Sequence, residues 1–350
     1  MNNRNIAVVA GGGSTIGNLF HNIVSLSNLL HAWEEFKRGK SKKKDVALFE
    51  LNLEDNIFEL HRSLVSKAYQ HTEYEAFYIS DPKLRNIHKA SVRDRVVHQA
   101  VYRILCQIFD KHFIYDSYSS RKSRGTHLGV RRSYKACRKV SKNWRRKIYI
   151  LKCDVRKFFD SMDHSILRVL IEKKVLCLET MRLVDLVLES FKKETGKGLP
   201  LGNVTSQLFA NIYLDQFDQF VKHGLKMRYY FRYCDDFIII SENKQFLSEL
   251  VDKIKIFLDQ NLLLKLHPDK VEIRSMRQGI DFLGYVCLPN MIVLRTKTKK
   301  RIIKKIKIMF GKLKAGEISL TTFKNTLMSY LGVVSHCCSR EIEFYIKRFL

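Results

Sequence analysis

The sequence predicts an α+β fold, on three observations. Apolar residues recur at helical spacing over both ends of the chain, short β-branched and aromatic runs punctuate its middle, and two of those runs border acidic residues. With 350 residues, 45% of them hydrophobic, the chain can bury the core of one large domain or of two to three subdomains. Lys and Arg number 63 against 35 Asp and Glu, a net charge of +28 spread along the chain instead of gathered in a tail. A globular chain so basic is expected to meet a polyanion. Nucleic acid and an anionic membrane surface both fit that charge. No run reaches the roughly 18–20 apolar residues needed to span a bilayer, and the apolar stretch Ile6–Ala10 is too short for a signal-peptide core. The expectation is a soluble cytoplasmic protein with no membrane partner. Its eight cysteines are scattered without C-x-x-C spacing, which fits reduced packing residues in a reducing compartment.

In chain order, 18–64 has helical spacing, as in Leu26, Leu29, Leu30 and Trp33, interrupted by the basic stretch Lys37–Lys44, and predicts helix, loop, helix. Phe77–Arg95 is basic with β-branched residues, and Val96–Phe113 returns to an amphipathic helix. Lys147–Asp154 alternates as a strand, with Ile148, Ile150, Lys152 and Asp154 on one face and Asp154 at its end. His164–Phe191 is helical, and Gly196–Gly202 is a turn-rich loop opening a helix through about Val221. Tyr229–Tyr233 and Phe237–Ile240 predict two strands joined at Cys234-Asp235-Asp236, a hairpin with acids at its tip. A helix near Lys244–Gln260 follows, then strand-like Ile280–Arg295 with breakers Gly284, Pro289 and Asn290. Lys297–Leu350 is basic and helical.

Asp235 and Asp236 at one turn repel each other, and aromatic neighbours make that costly unless a cation neutralises them. Mg²⁺ suits such a place, because it takes hard oxygen ligands and bridges one or two carboxylates to substrate phosphates. Asp154 ends another strand; if the strands are adjacent, three acids converge. Convergent acids holding two metals roughly 3.5–4 Å apart serve in-line phosphoryl displacement. A solvated turn is the plainer account of an arbitrary Asp-Asp pair.

The flanking residues argue otherwise. Tyr233-Cys234-Asp235-Asp236 is similar to the Tyr-x-Asp-Asp signature of reverse transcriptases, and Asp154-Val155-Arg156-Lys157-Phe158-Phe159 resembles that family's first catalytic strand, with an aromatic five residues after an Asp. The resemblance implies a right-hand polymerase: N-terminal region and helical fingers over 1–146, a palm with an antiparallel sheet over 147–290 and a helical thumb over 291–350. It implies two Mg²⁺, with Mn²⁺ as the alternative, held by Asp154, Asp235, Asp236 and the Val155 carbonyl. Phe159 becomes the steric gate that excludes a 2′-hydroxyl, with an ordinary core Phe as the rival account. Upstream, Lys83-Leu84-Arg85 and Ser91 to Gln99 look like finger segments; Lys83 and Arg85 become the triphosphate clamp, or else a solvated basic face. Ser117 to Gly125 resembles the next finger motif, which lies against template. Downstream, Lys270 takes the place of the family's general acid near the leaving pyrophosphate, and Phe282-Leu283-Gly284-Tyr285 that of a primer grip. Ile302, Ile303, Ile306, Phe310 and Leu313, with lysines between, form a basic amphipathic helix suited to gripping a duplex backbone.

Most reverse transcriptases carry Gln-Gly in the loop that here reads Leu201-Gly202, and Ser-Pro where this chain has Ser206-Gln207. That combination resembles the enzymes of diversity-generating retroelements, which copy a template-repeat RNA into cDNA with frequent errors at adenines, the step behind mutagenic retrohoming. Leu201, Gly202 and Gln207 are then expected at the incoming nucleotide. A Gln at 201 could hydrogen-bond near the nascent pair, whereas Leu201 offers apolar contact, so the penalty for mispairing falls. The partners implied are template RNA, cDNA primer and product, dNTPs and a small basic accessory protein oligomer, in a bacterial or phage-encoded system. The chain runs 65 residues beyond Tyr285, room for a thumb but not for a nuclease domain. The rivals are a retron or group II intron reverse transcriptase of ordinary fidelity and a catalytically silent RNA-binding relative. Ala7–Gly17 superficially matches a dinucleotide-binding glycine loop, but Ile16 stands where its third Gly is required.

Overall fold

The computed structural model describes residues 19–80, 84–191 and 193–350. The glycine-rich stretch at 7–17 lies outside them. The chain divides into two compact units, each assembled from three segments: 1–114, 156–220 and 257–265 in the first, 115–155, 221–256 and 266–350 in the second.

The first unit is mainly helical. Ser25 starts the helix Leu26–Lys37 by accepting the Asn28 N–H, and Leu29, Ala32, Trp33 and Phe36 bury one stripe of it. After the basic turn come two helices, Lys44–Leu51 and Leu53–Val65, where the spacing predicts one, and before Leu26–Lys37 stands a separate short helix, Leu19–Val24. The strands β1 (Glu75–Ile79) and β2 (Arg85–Lys89), to which the sequence assigned no element, pair antiparallel. Ser91 then caps Val92–Phe109, its hydroxyl accepting the Asp94 N–H. The helix expected over 164–191 is two, His164–Glu172 and Leu178–Glu189, separated by a turn in which Val175 is fully buried. Apolar periodicity does not register such a break, because the chain keeps burying apolar residues through it. Val204–Gln219 completes the unit's longer elements and continues into a π-turn at Phe220–Gly224.

The second unit is built on a four-stranded antiparallel sheet in the order β4 (Tyr230–Tyr233), β5 (Asp236–Ser241), β3 (Tyr149–Asp154), β6 (Glu272–Ser275). Strand β6 had no counterpart in the sequence reading; it is four residues long and carries Glu272 and Arg274, so no apolar run announces it. The helix Thr126–Val140 was also missed, for a physical reason. Its buried face is Gly129, Val130, Ser133, Ala136 and Cys137, residues too small or polar to show as a hydrophobic stripe. Three further strands, β7 (Ile280–Phe282), β8 (Tyr285–Leu288) and β9 (Met291–Leu294), form a meander. Its first turn places Leu283 and Gly284 at φ 53° and 89°, the backbone a two-residue hairpin prefers. The helices Thr296–Lys314, Leu320–Val334 and Arg340–Lys347 follow. One core joins Ile150, Ile238 and Ile240 of the sheet to Phe282 and Tyr285 of the meander and to Ile302, Ile306, Phe323 and Leu327 of these helices. Each such fully buried side chain contributes about 1.5–3 kcal/mol. The observed class is α+β, mixed helices with antiparallel sheets. Among the described residues no helix is long and apolar enough to cross a membrane.

Candidate active site

Strand register brings the acids together. Asp154, last in β3, pairs with Asp236, first in β5, while Cys153 pairs with Phe237 and Lys152 with Ile238. Residues directly opposite in an antiparallel pair share a face, so the two carboxylates stand side by side. Asp235 precedes Asp236 in a two-residue turn between β4 and β5, where Tyr233 pairs with Asp236. Such a turn calls for positive φ at its first residue, and Cys234 supplies it at φ 55°, unusual for a side chain that is not Gly, Asn or Asp. The Val155 N–H donates to the Asp235 carbonyl at 3.3 Å, tying the end of β3 to the turn.

The turn is braced by a residue the sequence reading passed over. Arg232, fully buried in β4, donates through its guanidinium to the Cys234 carbonyl at 3.1 Å and to the Ser117 hydroxyl at 3.0 Å. Its backbone N–H donates to the Asp116 carbonyl at 2.9 Å, and its carbonyl accepts the Tyr118 N–H at 3.0 Å. Segment 116–118 therefore lies along the edge of β4. A cation inside the apolar run Tyr230–Tyr233 was the available signal, since a fully buried Arg needs specific partners.

The carboxylates differ in their surroundings. Asp154 receives the Lys270 ammonium, Nζ to Oδ1 at 2.8 Å. Asp236 Oδ1 is buried with no hydrogen-bond partner, and Lys152 Nζ is spent on the Asp281 carbonyl at 2.6 Å. Burial pushes the Asp236 carboxyl from 3.8 up to about 7, opposed by the Lys152 charge and reinforced by Asp154, Asp235 and Asp281. Asp235 is also raised, by burial first and then by Asp154. Among the described residues no three acids, imidazoles or thiols close into a ready-made metal cage. Mg²⁺ does not require one, since its usual protein share is one or two carboxylates completed by water and substrate phosphates. An orphaned buried carboxylate oxygen among acids that resist ionising is a donor set that fits a hard divalent cation.

The remaining expected residues fall in the first unit, apart from Lys83, which lies outside the described residues. Arg85 is exposed at the start of β2. Phe159, half-buried beside Phe158, sits in the short helix Phe158–Ser161, and its carbonyl accepts the Leu199 N–H at 2.8 Å. The Leu201 carbonyl accepts the His88 N–H of β2 at 3.2 Å. Gly202 has φ 120°, which calls for glycine, and a Cβ there would lie 3.3 Å from the Ile87 side chain, which would have to yield slightly. Gln207 is exposed one turn into Val204–Gln219, while Ser206 beside it is buried.

Residues 80–287, more than half of the chain, match the family model described as reverse transcriptase (RNA-dependent DNA polymerase). The chain belongs to the reverse transcriptase family. Protein YkfC of Escherichia coli is 25% identical over 269 residues, covering 65% of this chain and 69% of that protein. The group II intron-encoded protein LtrA of Lactococcus lactis subsp. cremoris is 23% identical over 320 residues, covering 71% of this chain and 51% of that protein. The chain thus spans about half the length of the intron-encoded relative. Among solved structures, an apo telomerase from Candida tropicalis overlays 68% of this chain and 59% of that one, at 16% identity and a TM-score of 0.48, too loose a likeness to carry an argument.

Proposed function

We propose that this reverse transcriptase copies an RNA template into DNA by two-metal phosphoryl transfer, with Asp154, Asp235 and Asp236 as its metal-holding acids. The observation that carries the reading is the register that sets Asp154 against Asp236 at the acidic hairpin. Two divalent ions held by those carboxylates and the Val155 carbonyl would supply the Lewis acidity that activates a primer 3′-hydroxyl and stabilises departing pyrophosphate. The chain's own residues do the rest. Lys270 donates a proton to the pyrophosphate as it leaves. Lys83 and Arg85 neutralise the triphosphate. Phe159 blocks a 2′-hydroxyl by contact.

The finer reading is an enzyme of the diversity-generating kind, error-prone at template adenines and working with a small basic accessory protein. Its support is Leu201-Gly202 with Ser206-Gln207. A second reading, an intron-type enzyme of ordinary fidelity, is favoured by the similarity to the group II intron-encoded protein. Sequencing cDNA made on a defined RNA template separates the two. The diversity-generating reading expects errors concentrated opposite adenine and reduced about tenfold or less by Leu201→Gln. An even, low error spectrum that this substitution leaves unchanged favours the intron-type enzyme.

A further inference from the structure

The helix Val204–Gln219 begins against a buried polar chain for which the chemistry above has no use. Thr205, 1% exposed, occupies the helix's second position. Its Oγ1 lies 2.6 Å from His98 Nδ1, His98 Nε2 lies 3.0 Å from His71 Nε2, and His71 Nδ1 lies 2.6 Å from the Thr72 carbonyl oxygen. A carbonyl only accepts, so His71 Nδ1 donates to it, and the two rings and the Thr205 hydroxyl continue from there as one hydrogen-bonded chain. Burial keeps the His98 ring uncharged by pushing it down to about 3.

The far end of the chain is anchored in turn. Asp94, fully buried, accepts from the Tyr69 hydroxyl at 2.8 Å, the Ser91 hydroxyl at 2.7 Å, the Thr72 N–H at 3.1 Å and the Thr72 hydroxyl, and its Oδ2 is 3.8 Å from His71 Nδ1. Two more bonds hold the neighbouring loop. The His88 N–H donates to the Leu201 carbonyl at 3.2 Å, and the Asn203 amide donates to the Tyr74 hydroxyl at 3.3 Å. Residues 201, 203 and 205 are each fastened to a different part of segment 71–98. A buried network with its partners in place is rigid, and the Thr205 hydroxyl links it to this helix.

We propose that His98 and Thr205 are positioning residues for the incoming nucleotide: the His71–His98–Thr205 chain fixes the first turn of the helix, and with it Leu201 and Gly202 before that turn and Gln207 after it. The proposal rests on the reading that Leu201, Gly202 and Gln207 meet the nucleotide. Steady-state primer extension by the full chain, with dNTP varied, tests it through Thr205→Val, which keeps shape and removes the hydroxyl, and Thr205→Ser, which restores the hydroxyl. The expected result is a KM for dNTP raised about five- to tenfold in the Val variant, with kcat within about twofold and a modestly lowered melting temperature from the lost buried hydrogen bond, and a Ser variant close to wild type. Should Thr205→Val not fold, Thr205→Ala carries the same comparison. An unchanged KM overturns the proposal, as does a parallel fall in kcat and melting temperature that Ser does not rescue. Leu201→Gln and Gln207→Ala serve as the separate control. If neither alters KM or misincorporation, the nucleotide-site reading is wrong and the proposal falls with it; if they do alter them while Thr205→Val does not, only the positioning role is lost.

Discussion

Two acids in this molecule stand in opposite conditions. Asp94 is fully buried and every contact around it is a donor: two hydroxyls and a backbone N–H at 2.7 to 3.1 Å, with the Thr72 hydroxyl besides. Those bonds hold its carboxyl below the usual range against the desolvation that would raise it. Asp236 is partly buried, with its Oδ1 enclosed and without a hydrogen-bond partner, and burial raises its carboxyl to about 7. The satisfied acid sets the positions of its neighbours, whereas the unsatisfied one keeps its capacity for a cation. Proteins give up local stability where chemistry needs an unmet demand, and satisfy every group where only placement is needed.

Substitution should give opposite signs at the two places. Asp236→Asn is expected to lower primer extension on the order of a thousandfold or more, while leaving the metal-free protein as stable as wild type or more so at pH 8. A loss of stability comparable to the loss of activity would break the contrast. Asp94→Ala should cost about 3 kcal/mol in a denaturant melt, because four donors lose their acceptor in a buried place. A cost below about 1 kcal/mol would mean that water replaces the carboxylate.

The pH dependence is smaller and has a definite direction. The Asp236 carboxyl titrates from 3.8 when unfolded to about 7 when folded, so the native state holds the extra proton between those values. Stability of the metal-free protein therefore falls as pH rises from about 4 to about 7 and levels off above, by roughly 2 kcal/mol once solvent screening at the hairpin tip is allowed for. Mg²⁺ favours the ionised form and should raise the melting temperature more at pH 8 than at pH 5. Calorimetry at both values, with Mg²⁺ and with chelator, measures this. An equal Mg²⁺ effect at both would separate the raised carboxyl from cation binding.

Much of this architecture was legible in the sequence. Asp154, Asp235 and Asp236 could be placed because strand alternation and a two-residue turn are short-range patterns, and the register needed only to set one strand beside the other. The helical ends were legible from large apolar residues such as Trp33, Leu29 and Ile306. What stayed hidden depended on pairing at long range. Arg232 stands out in the sequence only as a cation inside an apolar run, and which groups it holds appears only with its carbonyl and hydroxyl partners. His98 and Thr205 are 107 positions apart, and nothing local marks either as half of a hydrogen bond. Lys270 was picked out only by resemblance to a family motif, and its pairing with Asp154 across 116 positions could not have been derived from spacing.

The segment pattern of the two units has a practical side. Each is made of three stretches of chain, so the polypeptide passes from one unit to the other five times. No single cut through the backbone separates one unit from the other, and a cut after any residue from 115 to 264 leaves neither unit whole in either fragment. Expression of a piece ending in that range should give an incomplete core, and proteolysis there should release no stable half. Two pieces divided in that range would have to find each other before either could finish folding, which makes such a split version of this polymerase a reporter of association.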